Sequence, residues 1–454
     1  MRAFLRVVLL VLAALALPAA LGGPTAVDTV TGLNAARTDG ASPSPAPTAY
    51  DPTRPTAAVV VGAKGAVASD VLAPYEILAA TGAFNVYTVA PGSHPVPLTG
   101  GLDLVPDLTF TGLEDLLGGP ADLVVVPAMP DVGRPTTKPV TAWLTTQAHG
   151  GAVILSVCNG GAVVASAGLL DGHRATAHWL RLDEWAGAYP AVDWVAGTRY
   201  VDDGAVISTA GVLSGIDGTL HAVQRLVGQD AAVRAARAIG WSYDASSGPP
   251  RMARTRLAPP DAVVALHSAF GWDRPRIGVQ LTDGVGELEL ASVFDTYAQS
   301  LAADTVAVGD RPVRSRHGLT FVPRTASVAG LDRLVVPGTT GPRTVPGIDV
   351  VHPHERPGFA YDAVLQDLAR TTDVATARWT AKVLEYPVDG LPLDGPSWPW
   401  ALTLRPVALG TLGVLVALGV LGLVRRGPHL SARRGQVPAG SESAMRRQSR
   451  GVSP

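Results

Sequence analysis

Between residues 56 and 240 short apolar runs alternate with stretches of helical spacing, and that alternation narrows the fold more than any other feature of the chain. Ala57 to Val61, Val86 to Ala90, Leu123 to Val126, Ala152 to Leu155 and Ala205 to Ser208 read as strands. Helical text lies between or after them at about Ser69 to Thr81, Lys138 to His149 and Ser214 to Val227. Strands alternating with helices in this way predict a parallel sheet covered on both faces. Sites in such sheets lie outside the carboxyl ends of the strands.

One of those ends carries the only cysteine. The text Ser156-Val157-Cys158-Asn159-Gly160-Gly161, followed by the small-residue run Ala162 to Ala167, reads as a nucleophile elbow, a buried strand turning sharply into a helix. Such a turn holds the thiol above the sheet, near the first free N–H groups of the next helix, which favour a thiolate. The alternative is an inert buried thiol, since free cysteine is among the most buried residue types. A single cysteine excludes intramolecular disulfides, so the fold is stabilised by its core alone.

The two ends of the chain address a membrane. Arg2 and Arg6 precede an apolar run from Val7 to Leu21, with small residues at Ala19 to Gly23, so 1–23 reads as a signal peptide or signal anchor. Pro406 to Val424 is a nearly unbroken apolar run with Trp398 and Trp400 before it, and 406–424 reads as a transmembrane helix. The tail 425–454 carries Arg425, Arg426, Arg433, Arg434, Arg446, Arg447 and Arg450 against the single acid Glu442. The positive-inside rule places that tail in the cytoplasm and the main region outside the cell membrane. With 16% charged residues and a net charge of −2, nothing in the composition points to nucleic acid as a partner.

Residues 24–56 are rich in Ala, Thr, Pro and Ser and read as an extended linker before the main lobe at 57–240. After a second linker at 241–274, residues 275–390 repeat the opening of that lobe. Asp70-Val-Leu-Ala-Pro-Tyr-Glu76 matches Glu289-Leu-Ala-Ser-Val-Phe-Asp295, acid to acid at both ends. Gly101 to Pro106 matches Gly318 to Pro323, and Asp122 to Pro127 matches Asp332 to Pro337. Three collinear matches argue for duplication. The second copy has no cysteine and no elbow strand, which predicts a structural role, packing on the first as a built-in pseudo-dimer partner. The expected fold class is thus α/β, a flavodoxin-like three-layer sandwich with a parallel sheet, a degenerate second lobe and one C-terminal transmembrane helix.

Four stretches together carry a resemblance. They are Asp70-x-x-x-Pro74-x-Glu76, Ser156-Val-Cys158-Asn-Gly160, Ala167 to Gly172 with Arg174-Ala-Thr-Ala-His178-Trp179, and Ser208-Thr-Ala-Gly211 with Ser214-Gly-Ile-Asp217. The first lobe resembles the ThiJ/PfpI superfamily, of class I glutamine amidotransferase-like fold, in the branch of isonitrile hydratases and the amino-terminal domains of AraC-type regulators. The resemblance implies Cys158 as nucleophile and Glu76 beside its sulfur, as hydrogen-bond donor or general acid/base. It implies His178 near the thiol as proton carrier, Asp70 as support, and backbone N–H groups of Asn159 and the Gly62 turn as oxyanion donors. It implies no cofactor and no metal. Two departures, Asn159 after the cysteine and Pro127-Ala128-Met129 where the family turn has glycine after proline, narrow or reshape the pocket.

Two functions from different classes follow. One is a cysteine-nucleophile hydrolase or hydratase acting on a small molecule. The other is a non-catalytic ectodomain that binds a ligand or senses oxidation through Cys158. The second lobe and membrane span stand where a helix-turn-helix would follow, which argues against a direct transcription factor.

Overall fold

A computed structural model of the chain describes residues 1–37, 49–248, 250–342, 344–355 and 358–425. The Ser-Pro core of the first expected linker and the basic tail beyond Arg425 lie outside the described residues. The chain divides into two units, Pro18–Val407 and a smaller one of Met1–Leu17 with the residues from Ala408 onwards.

After helix α1 (Arg2–Gly32), the first lobe opens with β1 (Thr56–Val60), α2 (Ala68–Ala80) and β2 (Asn85–Ala90). A hairpin of β3 (Val96–Leu98) and β4 (Leu102–Val105) leads to β5 (Leu108–Thr109), α3 (Phe110–Leu117), β6 (Leu123–Val126), α4 (Lys138–His149), β7 (Val153–Ser156) and α5 (Gly160–Ser166). The lobe closes through β8 (Arg174–Ala175), α6 (Leu182–Ala188), β9 (Asp193–Trp194), β10 (Tyr200–Asp203), β11 (Val206–Thr209), α7 (Ser214–Val227) and α8 (Gln229–Ala238). Its main sheet has the order β10-β11-β7-β6-β1-β2-β5 and is parallel except at the β10–β11 pair. β1 shows why the sequence reads as it does. Every residue is buried, and beyond Thr56 the strand sets Ala57 and Val59 in one apolar core and Ala58 and Val60 in the other, so no position from Ala57 on is left for a polar alternate.

The second lobe contains α9 (Ala262–Phe270), β12 (Arg276–Gln280), α10 (Glu287–Ser300), β13 (Asp304–Val308), β14 (Val313–Arg314), β15 (Thr320–Val322), β16 (Arg333–Val335) and β17 (Asp349–Val351). Helices α11 (Ala360–Thr371) and α12 (Val374–Val383) complete it, and α13 (Trp400–Arg425) follows. Its parallel sheet, β13-β12-β16-β17, repeats the order β2-β1-β6-β7 of the first lobe. β17 corrects the expectation that the second lobe lacks a strand at the elbow position. It is three residues long and opens on Asp349, too short and polar to show as an apolar run.

The lobes are joined by backbone and by charge. β15 pairs antiparallel with β4, Phe321 opposite Leu104, so β14-β15-β4-β3 is one sheet crossing both lobes. Helices α2 and α10 pack together, and each caps the other. Glu76 on α2 accepts the Leu288 N–H at the start of α10 at 2.6 Å, while Asp295 on α10 accepts the Ser69 N–H at the start of α2, also at 2.6 Å. Helix N-termini carry unpaired N–H groups and partial positive charge, which carboxylates satisfy. Glu76 and Asp295 are the matched acids of the sequence repeat.

Two expected linkers are partly ordered. α1 runs on to Gly32, so residues 24–32 are helical rather than an extended tether. Thr29 fixes that end by donating to the Ser268 carbonyl at 3.1 Å and accepting from Arg274 at 2.8 Å. The stretch 241–274 likewise contains α9. In the smaller unit, Gly413 and Gly410 of α13 lie against the backbone of Ala13 and Ala14. A Cβ on Gly413 would sit 2.2 Å from the Ala13 oxygen, so only glycine allows the approach.

Candidate active site

β7 ends at Ser156 and α5 begins at Gly160, leaving Cys158 on the turn with φ of 57°. A left-handed backbone is rare for a side chain of this kind and marks a position held by its surroundings. Gly160 lets the turn close: a Cβ there would lie 2.0 Å from the Val126 carbonyl oxygen of β6. Cys158 is buried, only 4% exposed. Burial pushes it well above the usual thiol range, and Asp70 pushes it further. The Asn159 N–H donated to sulfur works the other way, against smaller upward contributions from Glu385 and Asp295. At neutral pH the resting group is therefore a thiol. The seven-residue α5 does not overcome burial among three acids, which corrects the expectation of a resting thiolate.

Asp70, expected only as support, is the acid whose charge bears most on the sulfur. It is fully buried, one oxygen accepting the Ala128 N–H at 2.9 Å and the other, Oδ1, lacking a partner among the described residues. Burial, then the charges of Asp295 and Glu385, holds its carboxyl well above the ordinary range, against the pull of the Ala128 bond. A protonated Asp70 can donate a hydrogen bond or a proton.

Glu76 is turned the other way. Besides the Leu288 N–H it takes Arg316 at 3.1 Å, so both oxygens serve the second lobe, which corrects its expected place beside the sulfur. Burial and then Glu287 raise its carboxyl to about 7. Glu76, Glu287 and His317 offer ligand atoms within 4.8 Å of one another, the spacing of a metal site. Arg316, Ser315 and backbone N–H groups already occupy those atoms, so the set is a closed ion-pair cluster.

His178 does not reach the thiol through either nitrogen. Nε2 donates to the Val383 carbonyl at 2.8 Å, and Nδ1 accepts the Leu180 N–H at 3.3 Å. Burial lowers it to about 4, so it is a neutral structural imidazole, which corrects its expected role as proton carrier. Asn159 keeps its N–H on the sulfur, while its side-chain oxygen is held by Trp185 at 2.9 Å. At Gly62 a Cβ would meet the Met129 sulfur at 2.9 Å, so Met129 fills the turn as its bulk suggested.

Sequence reasoning missed what the second lobe brings. Residues 382–385, at the end of α12, lie over the first lobe. Lys382 and Val383 carbonyls accept from Trp179 and His178, the Leu384 carbonyl accepts from Leu213 N–H at 3.0 Å, and Glu385 takes the Ser214 hydroxyl at 2.5 Å. Glu385 has φ of 52° and is 8% exposed. Only an acid set directly after apolar Val383-Leu384 hinted at it.

A profile of the DJ-1/PfpI family matches residues 56–225, the span that holds the elbow, Asp70 and Ser214. An isonitrile hydratase of Pseudomonas putida is 36% identical over 166 residues, covering 36% of this chain and 68% of that one. The chain belongs to the DJ-1/PfpI family. The HTH-type transcriptional regulator CdhR of Pseudomonas aeruginosa is 32% identical over 151 residues, 33% of this chain and 43% of the regulator. Among solved structures, a ThiJ/PfpI family protein from Pseudomonas syringae aligns with a TM-score of 0.37 at 28% identity, covering 43% of this chain and 78% of its own. The DJ-1/PfpI match ends before the second lobe, so the parts that cap the elbow lie outside the matched span.

Proposed function

We propose that this DJ-1/PfpI protein is a membrane-anchored, extracytoplasmic, cysteine-dependent hydratase or hydrolase for a small uncharged molecule. The observation that carries the reading is Cys158 itself, strained into the left-handed region with one N–H on its sulfur, and the buried Asp70, its carboxyl held well above the ordinary range and its charge bearing on the thiol. With an isonitrile, the type of compound named for the Pseudomonas putida relative, the chemistry balances without a cofactor. The sulfur bonds to the terminal carbon as that carbon takes a proton from Asp70, and the thiol proton replaces the one Asp70 gave. Water then displaces the sulfur to leave a formamide and restores the thiol.

Turnover of a short alkyl isonitrile to its formamide, followed by mass, tests this. Cys158→Ser should abolish it, and Asp70→Asn should lower kcat by about 10² or more. Undiminished turnover in Cys158→Ser would refute the reading. Burial of the thiol favours a second one, ligand binding without turnover. Isonitrile that raises the melting temperature but is never converted would select it.

The anchoring rests on two helices, Phe4–Gly32 and Trp400–Leu423, long and apolar enough to cross a membrane. Gly410 and Gly413, seated on Ala13 and Ala14, favour their pairing as two spans, with the lobes outside and the basic tail inside. Protease added to intact cells should cut within 38–56 and leave the tail whole. A tail clipped from outside would reverse the topology. The second lobe we infer to be a degenerate duplicate serving as a built-in partner, a reading supported by the repeated strand order and the mutual capping of α2 and α10.

A further inference from the structure

Among the described residues, the large apolar side chains exposed outside α1 and α13 are Tyr50, Leu180, Leu257 and Trp272. Leu180 and Leu257 line one cavity of about 290 Å³, together with Trp179, Met252 and Glu385. Met252, Leu257 and Glu385 lie beyond residue 225, where the DJ-1/PfpI match ends, and Cys158 is not part of the wall. Glu385 is the polar extreme of this cavity. Its Oε2 takes the Ser214 hydroxyl at 2.5 Å, while Oε1 is buried and has no partner among the described residues. Gly211 makes room for the group, since a Cβ there would fall 2.2 Å from the Glu385 carboxyl carbon. The nearby cations are bound elsewhere: Arg199 to Asp217, Arg254 to Asp183 at 3.1 Å and Lys382 to Asp261 at 2.5 Å. Arg256 stands exposed to solvent. Burial raises the Glu385 carboxyl to about 7, with the Ser214 hydroxyl, the Arg199 charge and the Gly211 N–H pulling the other way. A buried acid oxygen left without a donor, on a left-handed backbone, is a group kept for use.

We propose that this cavity is a binding site for a small apolar amine, whose ammonium group donates to Oε1 of Glu385 while its body lies against Trp179, Leu180, Met252 and Leu257. The ammonium supplies both things that the oxygen lacks, an N–H and an opposite charge. A neutral alcohol supplies only the first, and a quaternary ammonium only the second. The apolar side chains that solvent otherwise wets are covered by the same molecule. At a water's share of about 30 Å³ per group, the volume holds about ten non-hydrogen atoms, which sets the size of the ligand. The wall is held in advance of binding. The Met252 N–H donates to the Gly197 carbonyl at 3.1 Å, and Lys382 donates to the Arg256 carbonyl at 2.7 Å. The segment 252–257 is thereby tied to the first lobe at one point and to α12, just before Glu385, at another. A wall fixed beforehand lowers the ordering cost of binding.

The test is calorimetric titration of the full chain in detergent, near neutral pH, with benzylamine, benzyl alcohol and benzyltrimethylammonium. The three share one apolar body and differ in the head. Benzylamine should bind saturably and at least about tenfold more tightly than either of the others. Glu385→Gln should weaken benzylamine by at least about tenfold and leave benzyl alcohol nearly unchanged. Leu257→Ala, at a residue 66% exposed and so of little weight in folding, should weaken benzylamine by about threefold or more. Three results overturn the proposal: no saturable binding of benzylamine, a comparator that binds as tightly, or an affinity for benzylamine that Glu385→Gln leaves intact. The comparison of ligands on the wild type decides even if a variant fails to fold. Binding is read without turnover, so the outcome is independent of any chemistry at Cys158.

Discussion

Asp295→Ala is expected to remove about 3 to 5 kcal/mol of folding stability, far more than its distance from Cys158 in the chain suggests. The residue has no exposed surface and accepts from three groups of the first lobe, the Ser69 N–H at 2.6 Å and the Ser69 and Thr99 hydroxyls. Alanine leaves the Ser69 N–H and the Thr99 hydroxyl buried without that acceptor, while the Ser69 hydroxyl keeps Tyr361, and a buried donor without a partner costs about 1 to 3 kcal/mol. Glu76→Ala, its counterpart across the repeat, should cost less, because Arg316 has a side chain 46% exposed and can turn to water. Denaturant unfolding of both variants checks the ranking. A larger loss in Glu76→Ala would show that the capping exchange is not what holds α2 to α10.

The elbow makes the second large prediction. Gly160→Ala would place a methyl carbon 2.0 Å from the Val126 oxygen and 2.9 Å from its carbonyl carbon, both strand backbone. Neither can move without opening the ladder between β6 and β7, so a loss of at least about 3 kcal/mol is expected, with the elbow displaced. Gly161→Ala is the control. Its added carbon comes no closer than 3.2 Å, to the Thr176 oxygen, and the change should stay within about 1 kcal/mol. Equal melting temperatures for the two variants would contradict the close approach of the turn to β6.

How far the sequence reveals this protein depends on the range of the interaction. Leu123 to Val126 is legible because a strand buried on both faces has no use for a polar residue, and the cysteine turn is legible because Gly160 and Gly161 follow it. The acid of the site is not legible from spacing alone. Asp70 and Glu76 share one motif and one helix, but six residues turn a helix by about 240°, so the two carboxyls face different neighbours. The charge of one bears on the sulfur, and the other serves the second lobe. Glu385 is harder still, since its role arises only when the end of α12 folds back over Leu213 and Ser214. His178 misleads for a related reason: the Val383 carbonyl that accepts its Nε2–H hydrogen bond comes from the same distant segment.

The exchange of carboxylates between α2 and α10 bears on how such a molecule can change over generations. In an assembly of identical chains, any substitution strikes both sides of the contact at once, and association weakens on dilution. Here the halves share one polypeptide, so their encounter is unimolecular and insensitive to dilution. One half can then change freely provided it still delivers Asp295 to its neighbour, and selection on the pair becomes lopsided.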